Sequence, residues 1–134
     1  MGVGHDCQMI KLTFCLRRKP DVSAEEFYRY WKDEHGPLVA ARAEALGVRK
    51  YQQVHTLAEP GLHGALQRRN GGSPEPFDGI AEVWVDDLDT FMNASGSASA
   101  AQAAQDLIED EKRFIDLANS PMWLGEEIVF VDRT

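Results

Sequence analysis

Apolar and polar positions alternate from Met9 to Arg17, with Ile10, Leu12, Phe14 and Leu16 set against Lys11, Thr13, Cys15 and Arg17. A period of two marks a strand with two unlike faces. Past a Lys19-Pro20-Asp21 turn the period lengthens to that of a helix. Ser23 with Glu26 three residues on reads as a capping box, so this helix starts near Ala24. Phe27, Tyr30, Trp31 and Glu34 then fall on one side, and Tyr28 and His35 flank Trp31 on the adjacent strip. Pro37 has no N–H to give and crowds the preceding turn, which predicts a kink or restart. The helix resumes through Ala40, Ala41, Ala43 and Leu46 to a Gly47 stop. Such a kink can open a space beside His35.

Val48 to Leu57 reads as a second strand, with Arg49, Tyr51, Gln53, His55 and Leu57 on one face. Residues 58–76, rich in Gly, Pro, Arg and Asn, read as a long loop: a lid, an interface element or a disordered segment. Phe77 to Asp86 is the third strand, placing Ala81, Val83 and Val85 opposite Ile80, Glu82 and Trp84. A short helix begins at Asp87. After the Ser95-Gly96-Ser97 break comes a longer one, with Ala104, Leu107, Ile108, Glu111, Phe114, Ile115 and Ala118 at helical spacing. Asn119-Ser120-Pro121 ends that helix, and Glu126 to Asp132 reads as the last strand.

The order β-α-β-β-α-β predicts an α+β, ferredoxin-like fold: an antiparallel sheet with both long helices on one face. Its other face carries apolar strand residues that water alone cannot satisfy. A second copy packing sheet to sheet covers it, so a homodimer is expected.

Length and charge narrow the functional classes. The 134 residues fit one domain, read as 9–134, behind a flexible leader at 1–8. Asp and Glu outnumber Lys and Arg by 22 to 14, a net charge of −8 that repels phosphate backbones and anionic lipid heads, so neither nucleic acid nor membrane is an expected partner. No run of about 18 apolar residues or secretion signal is seen, so a cytoplasmic location is expected. Cys7 and Cys15 make neither a disulfide framework nor a metal set. His55 and His63 lack a third ligand at a supporting spacing, so no metal site is expected.

Three stretches together resemble the EthD family of dimeric α+β barrel proteins. They are Met9-Ile10-Lys11-Leu12 leading into Arg17-Arg18-Lys19-Pro20, then Trp31-Lys32-Asp33-Glu34-His35-Gly36-Pro37-Leu38-Val39, and Phe77-Asp78-Gly79-Ile80-Ala81-Glu82-Val83-Trp84. The Trp-x-x-Glu-His-Gly-Pro-Leu signature is the specific part. The resemblance implies a ferredoxin-like subunit, a dimer whose two sheets form a barrel, and a pocket between sheet and helices in each subunit. Similar barrels include cofactor-free oxygenases, isomerases, cyclases, decarboxylases and haem-binding proteins, so fold alone does not choose a reaction.

A histidine near a tyrosine hydroxyl in an apolar cavity can move a proton while the phenol stabilises a developing oxyanion. His35 and Tyr51 are the candidate catalytic pair. Phe14, Tyr28, Trp31, Glu82 and Trp84 are the candidate contacts to a small apolar ligand. The plainer reading has His35 capping a free carbonyl of the broken helix, Tyr51 merely packing, and Glu82 pairing with Lys11 or Arg49. Asp116 is a further carboxylate that can reach a pocket edge or simply face water. The expected function is a cofactor-independent enzyme, of isomerase, lyase, cyclase or oxygenase type, acting on a small aromatic, lactone or polyketide-like compound. The alternatives are a non-catalytic carrier of such a molecule, or a haem-binding barrel with His35 as axial ligand.

Overall fold

Strand β1 (Ile10–Leu16) lies inside a four-stranded antiparallel sheet, flanked by β3 (Gly79–Val85) and β4 (Met122–Glu126), with β2 (Val48–His55) on the outer side of β3. These relations come from a computed structural model that describes residues 9–94 and 96–134; the expected leader, with Cys7, lies outside the described residues. The strand order β2-β3-β1-β4 with two helical crossovers is the ferredoxin-like α+β arrangement expected from the alternation of periods.

Between β1 and β2 a continuous helical segment runs from residue 24 to 46. It comprises α1 (Ala24–Tyr30), one π-turn (Trp31–His35) and α2 (Gly36–Leu46). Ser23 Oγ accepts from the Glu26 amide at 3.1 Å, but the Glu26 carboxylate pairs with Arg29 at 2.7 Å instead of returning to the cap. Gly47 closes the helix at φ +71°, a left-handed conformation that glycine adopts without Cβ strain. The expected kink at Pro37 is in fact the wide π-turn just before it, in which the Gly36 amide reaches back five residues to the Trp31 carbonyl.

That turn explains which side chains go in. Phe27, Trp31, His35 and Val39 are all buried, at a strict spacing of four. A regular α-helix advances about 100° per residue, so three steps of four would drift by roughly 120°. The wider π-turn absorbs the drift, placing His35 fully inside the stripe while Glu34, expected on the buried side, is exposed and pairs with Arg29.

The remaining helices are α3 (Pro60–Arg69), the short α4 (Leu88–Met92) and α5 (Ala98–Glu111). The segment 58–76 is therefore not an irregular loop: Pro60 at the first turn starts a ten-residue helix within it. Helix α5 stops before Phe114 and Ile115, because the chain there leaves the helix to bridge Arg18 with Ile115 and to donate the Lys19 amide to the Phe114 carbonyl. Both side chains remain buried.

The last strand also differs from expectation. Pairing of Phe14 with Met122 through Ile10 with Glu126 places β4 at Met122–Glu126, so the apolar run Ile128 to Val131 lies beyond the sheet and is exposed. Periodicity cannot separate two adjacent apolar runs; register against β1 does. The core is an aromatic cluster of Phe27, Trp31 and Phe114 packed on Phe14, Leu16 and Ala81. Trp31 is fully buried, and truncating such an aromatic costs about 3–5 kcal/mol.

Candidate active site

The sheet face turned toward the helices is not fully filled. Leu12, Phe14, Ala81, Val83 and Met122 form one wall of a cavity of about 500 Å³, and Trp31, Val39, Leu107 and Ile108 close it from the helical side. A β-bulge between Val48 and Lys50 brings Val48 onto the same face as Tyr51, although simple alternation puts them on opposite faces. The lining is almost wholly apolar. Its ionisable groups are His35, Tyr51 and Glu111.

His35 is held from behind. Its Nδ1 lies 2.7 Å from Asp110 Oδ2, while the Tyr30 hydroxyl donates to Asp110 Oδ1 at 2.5 Å. A carboxylate accepts only, so this bond assigns the proton to Nδ1 and leaves the lone pair on Nε2. Burial pushes the imidazole below its ordinary pKa, against the upward pull of Asp110. His35 is therefore neutral at pH 7, with a basic nitrogen. Burial, reinforced by the bond to the same Asp110, pushes the Tyr30 phenol up to about 12, so Tyr30 stays a donor.

Nε2 of His35 lies 4.0 Å from Glu111 Oε2. Burial in the apolar cavity, with some repulsion from Asp110, raises the Glu111 carboxyl to about 7. Near neutral pH this residue is thus divided between acid and carboxylate. Tyr51 is raised by burial, opposed by hydrogen bonds from Gln53 and Trp31. Gln53 Nε2 donates to both the Tyr51 oxygen and the Trp31 carbonyl, each at 2.8 Å, and Gln53 Oε1 lies 2.8 Å from His55 Nε2. One amide therefore satisfies the spare carbonyl of the π-turn and orients the phenol. With its oxygen accepting, the Tyr51 hydroxyl keeps its own proton for a group in the cavity.

His55 is itself fixed by stacking on Trp31, at a centroid distance of 4.5 Å and an interplanar angle of 9°. Gly79 lets Trp31 lie there. A Cβ at residue 79 would come within 2.6 Å of the indole and 2.7 Å of the Val54 carbonyl.

Of the candidates read from the sequence, His35, Tyr51, Phe14 and Trp31 line this cavity. Three do not. Glu82 and Trp84 alternate onto the outer face of β3, where Glu82 pairs with Lys11 at 2.6 Å and Trp84 packs under the Lys50 ammonium at 4.5 Å and hydrogen-bonds Glu127. Tyr28 faces away from the cavity, donating to the Asp78 carbonyl at 2.7 Å and lining a separate groove of about 450 Å³ beside α3. Asp116 sits in the turn after α5 and accepts from Asn119 at 2.7 Å. His35 does not cap a carbonyl; its partner is Asp110. The two carboxylates of α5 were not among the candidates, although Glu111 stands out as an acid on the stripe of Leu107 and Ile108. Asp110 carries no comparable signal, since its neighbour across the fold is set by the crossing of α5 over the π-turn. Among the described residues no set of three or more His, Cys, Asp or Glu is placed to hold a metal ion.

A model of the EthD domain family matches residues 19–118. In sequence the chain is similar to the dehydratase ustZ of Ustilaginoidea virens, 24% identical over 119 residues that span 88% of this chain and 83% of that protein. In structure it is similar to an ethyl tert-butyl ether d (ethd) family protein from Bacillus halodurans c-125, with a TM-score of 0.58 at 19% identity, covering 90% of this chain and 99% of that one. A dimeric protein of unknown function and ferredoxin-like fold from Bacteroides fragilis NCTC 9343 matches with a TM-score of 0.56 at 15% identity, over 89% of this chain and 96% of that one.

Proposed function

The chain belongs to the EthD domain family, and from that premise we propose that it is a cofactor-independent enzyme that moves a proton from the carbon next to a carbonyl in a small, largely apolar molecule. The observation that carries this reading is the bond from His35 to Asp110, which makes Nε2 the free base at an apolar cavity. Proton abstraction needs a base that is neutral at working pH and a donor for the enolate oxygen. His35 supplies the first and the Tyr51 hydroxyl the second. Asp110 steadies the imidazolium that forms, as a buried carboxylate partner does. The resemblance to a protein described as a dehydratase supports the same chemistry, since loss of water beside a carbonyl begins with this proton.

The test uses 1-tetralone, a fused bicyclic ketone of a size and polarity suited to the cavity, in D₂O. Exchange at its C2 should be accelerated by the protein and lost in His35→Gln. Equal exchange in the variant would refute the role of His35. Saturable binding with no exchange would instead favour a carrier.

We also propose that the working unit is a homodimer. The outer sheet face exposes Trp123 at 52% and Val54 at 46%, and Phe130 in the chain's last segment is 91% exposed, apolar side chains that a second copy would cover. The relative from Bacteroides fragilis is described as dimeric. Among the described residues no helix is long and apolar enough to cross a membrane.

A further inference from the structure

We propose that Glu111 is the general acid of this site and that the reaction is the elimination of water from a β-hydroxy ketone, with the proton and the hydroxyl leaving from the same face. The inference rests on the proton-transfer reading given above and specifies its outcome. Glu111 lies on the buried stripe of α5, where leucine would pack without penalty. Its side chain is 17% exposed, and the carboxylate accepts no hydrogen bond from any described residue. A buried carboxyl with purely structural duties is normally paired. This one instead borders the cavity beside the histidine base.

The 4.0 Å between His35 Nε2 and Glu111 Oε2 decides the stereochemistry. Two groups so close stand on one side of any bound ring, within reach of a hydrogen and an oxygen on adjacent carbons of the same face. An anti elimination would need them on opposite sides. In the step, Nε2 takes the α-proton and the C–H electrons become the enolate, whose oxygen accepts from Tyr51. The enolate then collapses to the C=C bond as the β C–O bond breaks, and the departing hydroxyl takes the Glu111 proton and leaves as water. The site is left as imidazolium and carboxylate, close enough to return the proton and reset both groups. Burial keeps Glu111 substantially protonated near neutral pH, as an acid needs.

The probe is 3-hydroxy-1-tetralone, which loses water to give fluorescent 1-naphthol, assayed beside C2 deuterium exchange on the same compound. The groups facing Glu111 are His35 from the π-turn, Tyr51 from β2 and Asp110 on its own helix, so elimination should be followed against pH in wild type and in Tyr51→Phe. Wild-type protein should form 1-naphthol, with the rate falling above about pH 7 as Glu111 ionises. Glu111→Gln should slow elimination by about a hundredfold or more but exchange by less than about tenfold. Glu111→Asp should recover part of the elimination, and a substrate carrying deuterium on the hydroxyl-bearing face should lose that label. Exchange without 1-naphthol, equal elimination by Glu111→Gln, or loss of the opposite hydrogen would overturn this inference and leave the proton-transfer reading standing. Absence of both reactions would overturn the two together.

Discussion

Replacing Glu111 by glutamine removes an ionisation while keeping nearly the same shape, so its effect on stability isolates the electrostatics of the cavity. The folded carboxyl titrates at about 7 against 4.5 when unfolded, a rise of about 2.5 that corresponds to about 3 kcal/mol at about 1.4 kcal/mol per unit. The sign follows from proton counting. Between these two values the folded state binds more protons than the unfolded one, so stability falls as pH rises from 4.5 to 7 and then stays low. The variant lacks this loss. It should match wild type near pH 4 and exceed it by about 3 kcal/mol at pH 8, or roughly 10 °C in melting temperature for a chain of this size. His35 acts in the opposite sense, since its lowered pKa removes stability as pH falls below 6.5. That contribution is common to both proteins and largely cancels in the difference. Urea unfolding at pH 4, 6 and 8, followed by tryptophan fluorescence, measures the gap. A difference that does not change with pH would show that Glu111 is not buried as a free acid.

Four further outcomes are expected. Asp110→Asn removes the partner that raises the His35 pKa, so an NMR titration should find the imidazole lower still and exchange on 1-tetralone slower by about a hundredfold or more. Gly79→Ala forces a Cβ to 2.7 Å from the Val54 carbonyl and against the Trp31 ring, and should cost about 2–3 kcal/mol in chemical denaturation with a shift in tryptophan emission. Gln53→Leu strips the second donor from the Trp31 carbonyl and one from Tyr51, and should cost about 1–3 kcal/mol while slowing exchange. Ending the chain after Glu127 removes Ile128, Val129, Phe130 and Val131, and light scattering should then show a weaker dimer if these residues cover the partner.

The strands β1 and β3, the capped first helix and the order of elements were legible because each segment carries one period over enough residues. The position of His35 was legible only in part. A uniform 100° step leaves it at the border of the stripe and puts Glu34 inside, whereas the π-turn exchanges the two, and that turn follows from Pro37 acting together with Gln53 on a distant strand. Glu82 illustrates another limit: alternation groups it with Trp84 but does not say which face meets the helices. Asp110 was hidden entirely, because only the packing of α5 across the π-turn brings it beside Tyr30 and His35. The last strand was displaced for a related reason, since both Met122–Glu126 and the following apolar run suit a strand, and pairing with Phe14 selects the first.

The π-turn also sets what kind of genetic change this stretch can absorb. Lys32, Asp33 and Glu34 are exposed, so many substitutions there should be silent. Deleting any one of them is different. The helix could then close into regular four-residue hydrogen bonds and would be locally better ordered, yet three regular steps cover only about 300°, so His35 and Val39 would rotate by about 60° relative to Phe27 and Trp31. Length, and not residue identity, is the inherited constraint between Trp31 and His35, and a lineage that lost one codon there would keep a sound helix and turn His35 out of its place in the cavity wall.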